Sequence, residues 1–214
     1  MQDTLDTNII LSQLSPQSQQ AFPTIIAFPT ISSTNTYLLN LPELEQHSGY
    51  VCLAEQQTAG RGRQGRQWIS PPMQNIYLSL LWKIPQTRSI SGLSLVVGMA
   101  ILNALRKIKI NHAQIKWPND IVVNNQKLAG ILLEISNTNY IVIGIGLNVH
   151  MSSNIDVGQP WVSTAQLTSA HLERNEIIAH MLNALSEELH EFTLHGLQSV
   201  CVDWPSIDAL KDQS

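Results

Sequence analysis

The residues best suited to chemistry in this chain lie in a segment that alternates arginine with glycine, Gln57-Thr58-Ala59-Gly60-Arg61-Gly62-Arg63-Gln64-Gly65-Arg66-Gln67-Trp68. Glycine lets a backbone approach a ligand closely and take up positive φ angles. Arginine carries a planar, permanently charged fork that fits phosphate or carboxylate oxygens. We therefore predict a mobile loop, named here the arginine loop (residues 57–68), that closes over a small anion.

Two lysine-bearing segments follow the arginine loop. They are Lys116-Trp117-Pro118-Asn119-Asp120 and Lys127-Leu128-Ala129-Gly130. Pro118 favours an extended or turning backbone, and the amide and carboxylate after it could hold a cation, a ribose or an attacking group. A lysine beside a turn usually faces solvent, so its position alone leaves the role of Lys127 open. With the arginine loop, the two segments predict a site for a charged phosphoryl group.

The charge of the chain is distributed unevenly. Its 214 residues include 12 Lys/Arg and 16 Asp/Glu, for a formal net charge of −4. The range 56–119 contains nine of the basic residues and no Asp or Glu. An acidic protein is a poor general binder of nucleic acid, which needs a broad positive surface, so we predict no DNA partner. A local positive segment fits a small anion, although a solvated basic face gives the same pattern.

Other site types fit the sequence less well. Gly60-x-Gly62-x-x-Gly65 matches the dinucleotide-binding fingerprint in letters, but no helix start follows it and the next acidic residue is Asp120. The two cysteines, Cys52 and Cys201, do not have metal-ligand spacing. The N-terminus lacks the features of a signal peptide, and the longest apolar run, about 93–102, is too short to cross a membrane. We expect a cytoplasmic protein without a membrane partner or a tightly bound metal.

Hydrophobic periodicity and turn residues predict the elements that position the site. Strands are predicted at 25–28, 50–56, 75–82, 120–123, 126–135 and 140–149, with Asn124-Asn125 as a two-residue hairpin turn. A short segment at 115–117 is stopped by Pro118. Helices are predicted after a cap at Ser32 or Ser33, over 91–107, and from Asn175 to a stop at Gly196. Residues 1–22 are expected to be a poorly ordered lead-in to a domain over 23–214. We predict an α+β fold whose mixed, largely antiparallel sheet packs on helices.

Four ordered motifs resemble those of the biotin protein ligases. They are the arginine loop, Lys116–Asp120, Lys127-Leu128-Ala129-Gly130-Ile131-Leu132-x-Glu134, and Gly144-x-Gly146-x-Asn148, within a match that runs from Ser33 to Asn148. The resemblance implies a catalytic domain similar to that of class II aminoacyl-tRNA synthetases. It also implies that biotin and ATP, with Mg²⁺, give biotinyl-5′-AMP and pyrophosphate. The acyl group then passes to a lysine of a biotin carboxyl carrier protein, that of acetyl-CoA carboxylase being the family expectation. A homodimer is a further expectation from the family.

The resemblance implies roles for individual residues. The predicted substrate-binding residues are Ser33, Thr34, Asn35, Gln57, Thr58, Gly60, Arg61, Gly62, Arg63, Gln64, Lys127 and Gly130. The predicted nucleotide-binding residues are Arg63, Arg66, Trp68, Lys116, Asn119, Asn148 and Trp161. The reaction brings a carboxylate to an α-phosphate, so neutralising charge is the main catalytic task, which we assign to Arg61, Arg63, Lys116 and Lys127. Asp120 either ligates the metal or orients the incoming amine.

Two alternatives stay open at this point. One is a lipoate or octanoate ligase on the same scaffold, and the other is a biotin-binding remnant with weakened catalysis. Relatives often carry an N-terminal helix-turn-helix repressor domain and a C-terminal SH3-like barrel. This sequence is too short at both ends to include them, so we expect no repressor function, and weakened activity if the barrel helps hold ATP or the carrier protein.

Overall fold

The computed structural model describes residues 3–85, 89–136, 139–151, 155–169, 172–197 and 207–209. Within these ranges, seven strands form one sheet in the lateral order β1-β2-β3-β7-β6-β5-β4. The strands are β1 (Thr24–Phe28), β2 (Tyr50–Ala54), β3 (Ile76–Lys83), β4 (Gln114–Lys116), β5 (Asp120–Val123), β6 (Gln126–Ile135) and β7 (Tyr140–Leu147). The β1–β2 pair is parallel and the other five pairs are antiparallel. The predicted mixed, largely antiparallel sheet is therefore confirmed.

The hairpin from β5 to β6 forms where the sequence predicts it. Asn124 and Asn125 have φ angles of 49° and 62°, the left-handed region that a two-residue hairpin turn requires and that asparagine tolerates. Strand β7, predicted to be central from its apolar run, is the fourth of the seven strands. Its register with β6 places Gly130 opposite Gly146 and Leu132 opposite Gly144. The middle of the sheet thus carries a patch with few side chains.

The helices are α1 (Thr7–Ser12), α2 (Pro16–Ala21), α3 (Thr34–Leu39), α4 (Leu93–Lys107), α5 (Thr164–Leu167) and α6 (Arg174–His195). The predicted cap of α3 is Ser33, whose side chain accepts from the Thr36 backbone N–H, and α6 ends at Gly196 with φ 69°. Within the described ranges, no helix is both long and apolar enough to cross a bilayer.

The two faces of the sheet have different neighbours. Leu78 and Leu80 of β3 belong to the main core with α4 and α6, whereas Leu81 belongs to a smaller cluster beside α3. Side chains alternate between faces along a strand, so Ser79 of β3 and Gly144 of β7 lie on the α3 side. The helices α4 and α6 therefore support one face and leave the other for a binding site.

The prediction that residues 1–22 form a poorly ordered lead-in is wrong. Residues 7–21 form α1 and α2, capped by Asp6 and Ser15. Ile10 and Phe22 have no exposed surface and join the main core. The Gln, Ser and Thr content suggested disorder, but a few apolar residues bury enough surface against α6 to stabilise two six-residue helices that are too short to be stable alone.

Candidate functional site

A cleft of about 480 Å³ lies on the α3 side of the sheet. It is lined by one end of α3, the arginine loop and the middle strands. Eleven of the residues predicted for the site meet here: Ser33, Thr34, Asn35, Gln57, Arg61, Gly62, Arg63, Trp68, Asn119, Lys127 and Gly130. Elements that are distant in sequence are thus brought together by the order of the sheet.

One end of this cleft is built from amide and hydroxyl groups in fixed orientations. Gln57 Oε1 accepts from the backbone N–H of Thr34 at 2.9 Å and from its hydroxyl at 3.1 Å. Gln57 Nε2 donates to Ser70 Oγ at 3.2 Å. Asn35 Oδ1 accepts from Ser79 Oγ at 2.5 Å. Because the partners determine which end of each amide faces which way, this end presents a set pattern of donors and acceptors.

The other side of the cleft carries positive charge. Lys127 Nζ lies 2.9 Å from Asp120 Oδ1 and 5.3 Å from the centroid of the Trp68 ring. Arg63 Nη1 donates to Asn119 Oδ1 at 2.7 Å, and Arg61 forms an ion pair with Glu134. Each cation has a partner within the protein. An incoming anion can replace these partners and gain charge-assisted hydrogen bonds.

Trp68 lies on the patch with few side chains. A Cβ atom at Gly146 would be 2.4 Å from Trp68 Cε2, and one at Gly130 would be 2.9 Å from Trp68 Cζ3. The indole therefore occupies the space that two side chains on neighbouring strands would otherwise fill. Its Nε1 is buried and has no hydrogen-bond partner among the described residues. A buried donor of this kind costs free energy until an acceptor arrives.

A second cleft, of about 350 Å³, adjoins the first. Trp68 and Lys127 line both clefts, and the predicted nucleotide residues Asn148 and Trp161 lie in the second. Asn148 Nδ2 donates to the carbonyl oxygens of Lys127 at 3.3 Å and Val162 at 3.1 Å. These bonds connect Asn148, in the second cleft, to the backbone of the strand that carries Lys127.

The remaining predicted residues lie outside both clefts. Thr58, Gln64, Arg66 and Lys116 are exposed, and Gly60 is buried against the backbone of Trp68. Asp120 reaches the site through its ion pair with Lys127. In the described part of the chain, no three His, Cys, Asp or Glu side chains group as metal ligands. Cys201, excluded above as a metal ligand, falls outside the described residues. The roles of all these residues stay predictions.

Several site residues were given no role from the sequence. Ser79, Tyr77 and Leu132 line the first cleft, and Glu134 binds both Arg61 and Asn35. Burial raises the pKa of the Tyr77 hydroxyl, which donates to the carbonyl of Pro71 at 2.8 Å. A signal existed for two of them, because Ser79 interrupts an apolar run and Glu134 is the one acidic residue of β6. Such polar residues in apolar strands often mark a functional surface.

The comparison with protein families agrees with this geometry. A model of the biotin/lipoate A/B protein ligase family matches residues 27–148, more than half of the chain. The chain belongs to that family. The matched range includes every residue that lines the first cleft, and it ends at Asn148 in the second cleft. The resemblance drawn from the four motifs is thereby confirmed.

Individual members of the biotin/lipoate A/B protein ligase family resemble most of the chain. The bifunctional ligase/repressor BirA of Escherichia coli is 39% identical over 212 residues, covering 95% of this chain and 63% of that protein. The biotin–[acetyl-CoA-carboxylase] ligase of Paracoccus denitrificans is 38% identical over 184 residues, covering 80% and 75%. The chain thus spans less than two thirds of the Escherichia coli relative.

A solved member shares the fold. The biotin protein ligase of Aquifex aeolicus, in complex with biotin and ATP, superimposes with a TM-score of 0.80 at 27% identity. The superposition covers 88% of this chain and 79% of that chain. The predicted fold class, an α+β domain like that of the biotin protein ligases, is confirmed by this likeness and by the sheet.

Proposed function

We propose that this chain is a biotin protein ligase, which activates biotin with ATP as biotinyl-5′-AMP and transfers the biotinyl group to a lysine of a carrier protein. The observation that carries the proposal is the pair of adjoining clefts that share Lys127 and Trp68. One cleft ends in fixed amides and hydroxyls, and the other contains Asn148 and Trp161. The similarity to a ligase solved with biotin and ATP supports the same assignment.

The first cleft suits the ring system and carboxylate tail of biotin. The amides of Gln57 and Asn35 can pair with the ureido group of the ring, while the tail runs toward Lys127. The second cleft takes the adenosine, with the indole of Trp161 offering a stacking surface. The α-phosphate then lies at the junction, where Lys127 is common to both clefts.

In the first step, a carboxylate oxygen of biotin attacks the α-phosphorus, and the bond from that phosphorus to pyrophosphate breaks. Two anions approach each other, so the cations at the junction lower the barrier by neutralising charge that develops in the transition state. Lys127 and Arg63 are the nearest candidates. Mg²⁺ brought with ATP would balance the charge of the leaving pyrophosphate.

In the second step, the lysine amine of the carrier attacks the acyl carbon, and the bond from that carbon to the AMP oxygen breaks. The amine must lose a proton. The Asp120 carboxylate, 2.9 Å from Lys127 Nζ, is left without its cation once Lys127 turns to the acyl phosphate. We infer that Asp120 then orients the amine and accepts the proton that it loses, rather than ligating the metal.

The polar end of the first cleft favours biotin over lipoate. A dithiolane ring cannot pair with the amides of Asn35 and Gln57, and each buried polar group left unpaired costs about 1–3 kcal/mol. The ureido group of biotin satisfies them. The discrimination between the two acids by one such group is then about 5- to 150-fold in rate.

The test is ATP–pyrophosphate exchange in the presence of biotin, lipoate or octanoate. We expect exchange with biotin, loss of exchange in Lys127→Ala, and parental exchange in the matched control Lys107→Ala, an exposed lysine at the end of α4. Exchange with lipoate but not biotin would reject the proposal. Tight biotin binding without exchange would indicate a remnant that has lost catalysis.

The carrier domain of acetyl-CoA carboxylase is the proposed acceptor. The names of the relatives from Paracoccus denitrificans and Mycobacterium tuberculosis support this choice. Incubation with a purified carrier domain, biotin and ATP should add one biotinyl group to its acceptor lysine, measured by mass spectrometry. An acceptor Lys→Arg variant of the carrier should stay unmodified. A cytoplasmic location and a homodimer remain predictions of the same kind.

A further inference from the structure

We propose that Glu134 is a positioning residue that couples closure of the arginine loop to the amide of Asn35 in the first cleft. The choice of biotin as the ligand rests on the proposed function, whereas the contacts of Glu134 are made in the protein without any ligand. Glu134 lies in β6, seven residues after Lys127. Its carboxylate joins two groups that belong to different parts of the site.

One oxygen of Glu134 holds the arginine loop. Arg61 forms an ion pair with Glu134 Oε1, although the Arg61 side chain is 41% exposed. The Glu134 side chain is only 25% exposed because it lies on the sheet. The contact therefore fastens an exposed loop to a rigid strand across the mouth of the first cleft, which Arg61 lines.

The other oxygen of Glu134 orients the amide of Asn35. Asn35 Nδ2 donates to Glu134 Oε2 at 2.8 Å. An ionised carboxylate can only accept hydrogen bonds, so it requires the NH₂ end of the amide to face it. The carbonyl end of Asn35 then faces Ser79 Oγ, 2.5 Å away.

A bare glycine completes this arrangement. A Cβ atom at Gly144 would lie 2.2 Å from Asn35 Oδ1, so the amide rests directly on the backbone of β7. Asn35 is only 4% exposed. Its amide thus has one permitted orientation as long as Glu134 is charged, and that orientation determines which hydrogen bond the amide offers to a ligand.

The two contacts make Glu134 a link between loop and cleft. Replacing it with glutamine keeps the shape but removes the charge that binds Arg61. Glutamine also has an NH₂ group, so the Asn35 amide can turn over. We expect Glu134→Gln to release the arginine loop and to weaken biotin binding through faster dissociation, about tenfold, with the KM for ATP within about twofold of the parent.

The first experiment is limited trypsin digestion without any ligand. Trypsin cuts after arginine, so cleavage after Arg63 and Arg66 reports how often the loop opens. Glu134→Gln and Arg61→Gln should each be cut several-fold faster than the parent. The double variant should be cut no faster than either single variant. The control Glu191→Gln removes an exposed carboxylate on α6 and should behave as the parent.

The second experiment measures biotin dissociation by stopped-flow fluorescence. Glu134→Gln should release biotin faster than Arg61→Gln, because only the former frees the Asn35 amide. Parental cleavage rates in both single variants would overturn the loop contact. Equal dissociation rates for Glu134→Gln and the parent would overturn the coupling to Asn35.

Arg61→Gln changes an exposed side chain and keeps the cleavage test decisive if Glu134→Gln folds poorly. If the unsubstituted protein gives no biotin-dependent exchange, the proposed function is rejected. The loop contact is tested separately, because the digestion is measured without biotin.

Discussion

Replacing Gly146 with alanine tests whether the sheet must be bare beneath Trp68. The added Cβ would lie 2.4 Å from Trp68 Cε2 and 2.7 Å from Nε1, whereas ordinary contacts begin at 3.4 Å. The indole must therefore move away by about 1 Å, which is the difference between 3.4 Å and 2.4 Å. Gly130, opposite Gly146 in the register, does not offer room, because its own Cβ position is 2.9 Å from the ring.

The cost of this change follows from two opposing effects. Overpacking typically destabilises a protein by about 1–3 kcal/mol, while alanine is about 0.5–1 kcal/mol better than glycine inside a strand. The difference spans about 0–2.5 kcal/mol, and we take the middle of that range, about 1–2 kcal/mol, as the expected net cost. If the ring shifts without entering the clefts, the cost appears as a melting temperature lower by about 2–8 °C. If Trp68 moves into the clefts, it appears as biotin affinity weaker by about 5- to 30-fold.

Thermal unfolding and calorimetric titration with biotin measure the two effects on the same sample. Gly62→Ala is a stability control, since its Cβ would meet nothing closer than 3.4 Å, and it should melt close to the parent. In a Trp68→Ala background, Gly146→Ala should lose its cost because the clashing ring is absent. The same penalty in that background, or parental melting and affinity in the single variant, would refute the role given to Trp68.

Two further predictions concern buried groups away from the clefts. The side chain of Arg174 has no exposed surface and pairs with Asp3 at 2.9 Å and with Glu55 at 2.6 Å. Arg174→Met should lower the free energy of unfolding, measured in urea, by about 3–5 kcal/mol, because it leaves two carboxylates without their cation. A loss below about 1 kcal/mol would contradict this. Burial raises the pKa of the Cys52 thiol to about 12, and the thiolate is the form that reacts. At pH 8 the folded protein should therefore show no iodoacetamide adduct on the Cys52 peptide by mass spectrometry. The protein unfolded in urea should show that adduct. Labelling of the folded protein at the rate seen in urea would show that the thiol is accessible.

The elements that the sequence predicts well are those with a long or distinctive local signal. Helices α4 and α6 are amphipathic over 15 and 22 residues, and Asn124-Asn125 specifies its hairpin by backbone preference alone. The order of the strands has no such signal. Pairing of β1 with β2 in parallel, across the intervening α3, depends on contacts between distant residues. Helices α1 and α2 were missed because each gains its stability from α6.

In the candidate site, too, residues with a local sequence signal could be predicted, and contacts between distant residues could not. The arginine loop, including Arg63, is predicted from sequence because arginine next to glycine suggests an anion site, whereas the role of Lys127 comes from the resemblance of its motif. Which partner each cation takes could not be predicted, since Glu134 is 73 residues from Arg61. Gly144 and Gly146 belong to a motif, but the sequence assigns them no role, because a glycine in a strand shows its role only when the side chain lying on it is known.

The empty site has a consistent electrostatic design. Arg61 is paired with Glu134, Arg63 with Asn119, and Lys127 with Asp120. These partners hold the cations close together despite their mutual repulsion. A ligand anion that displaces Asp120 or Asn119 gains a cation already in position, whereas Glu134 also binds Asn35 and has a reason to keep Arg61. Under the proposed function, we expect Lys127 and Arg63 to turn to the phosphoryl group while Arg61 keeps the loop closed. Variants of Arg61 should then affect ligand release more than the chemical step, and variants of Lys127 the reverse.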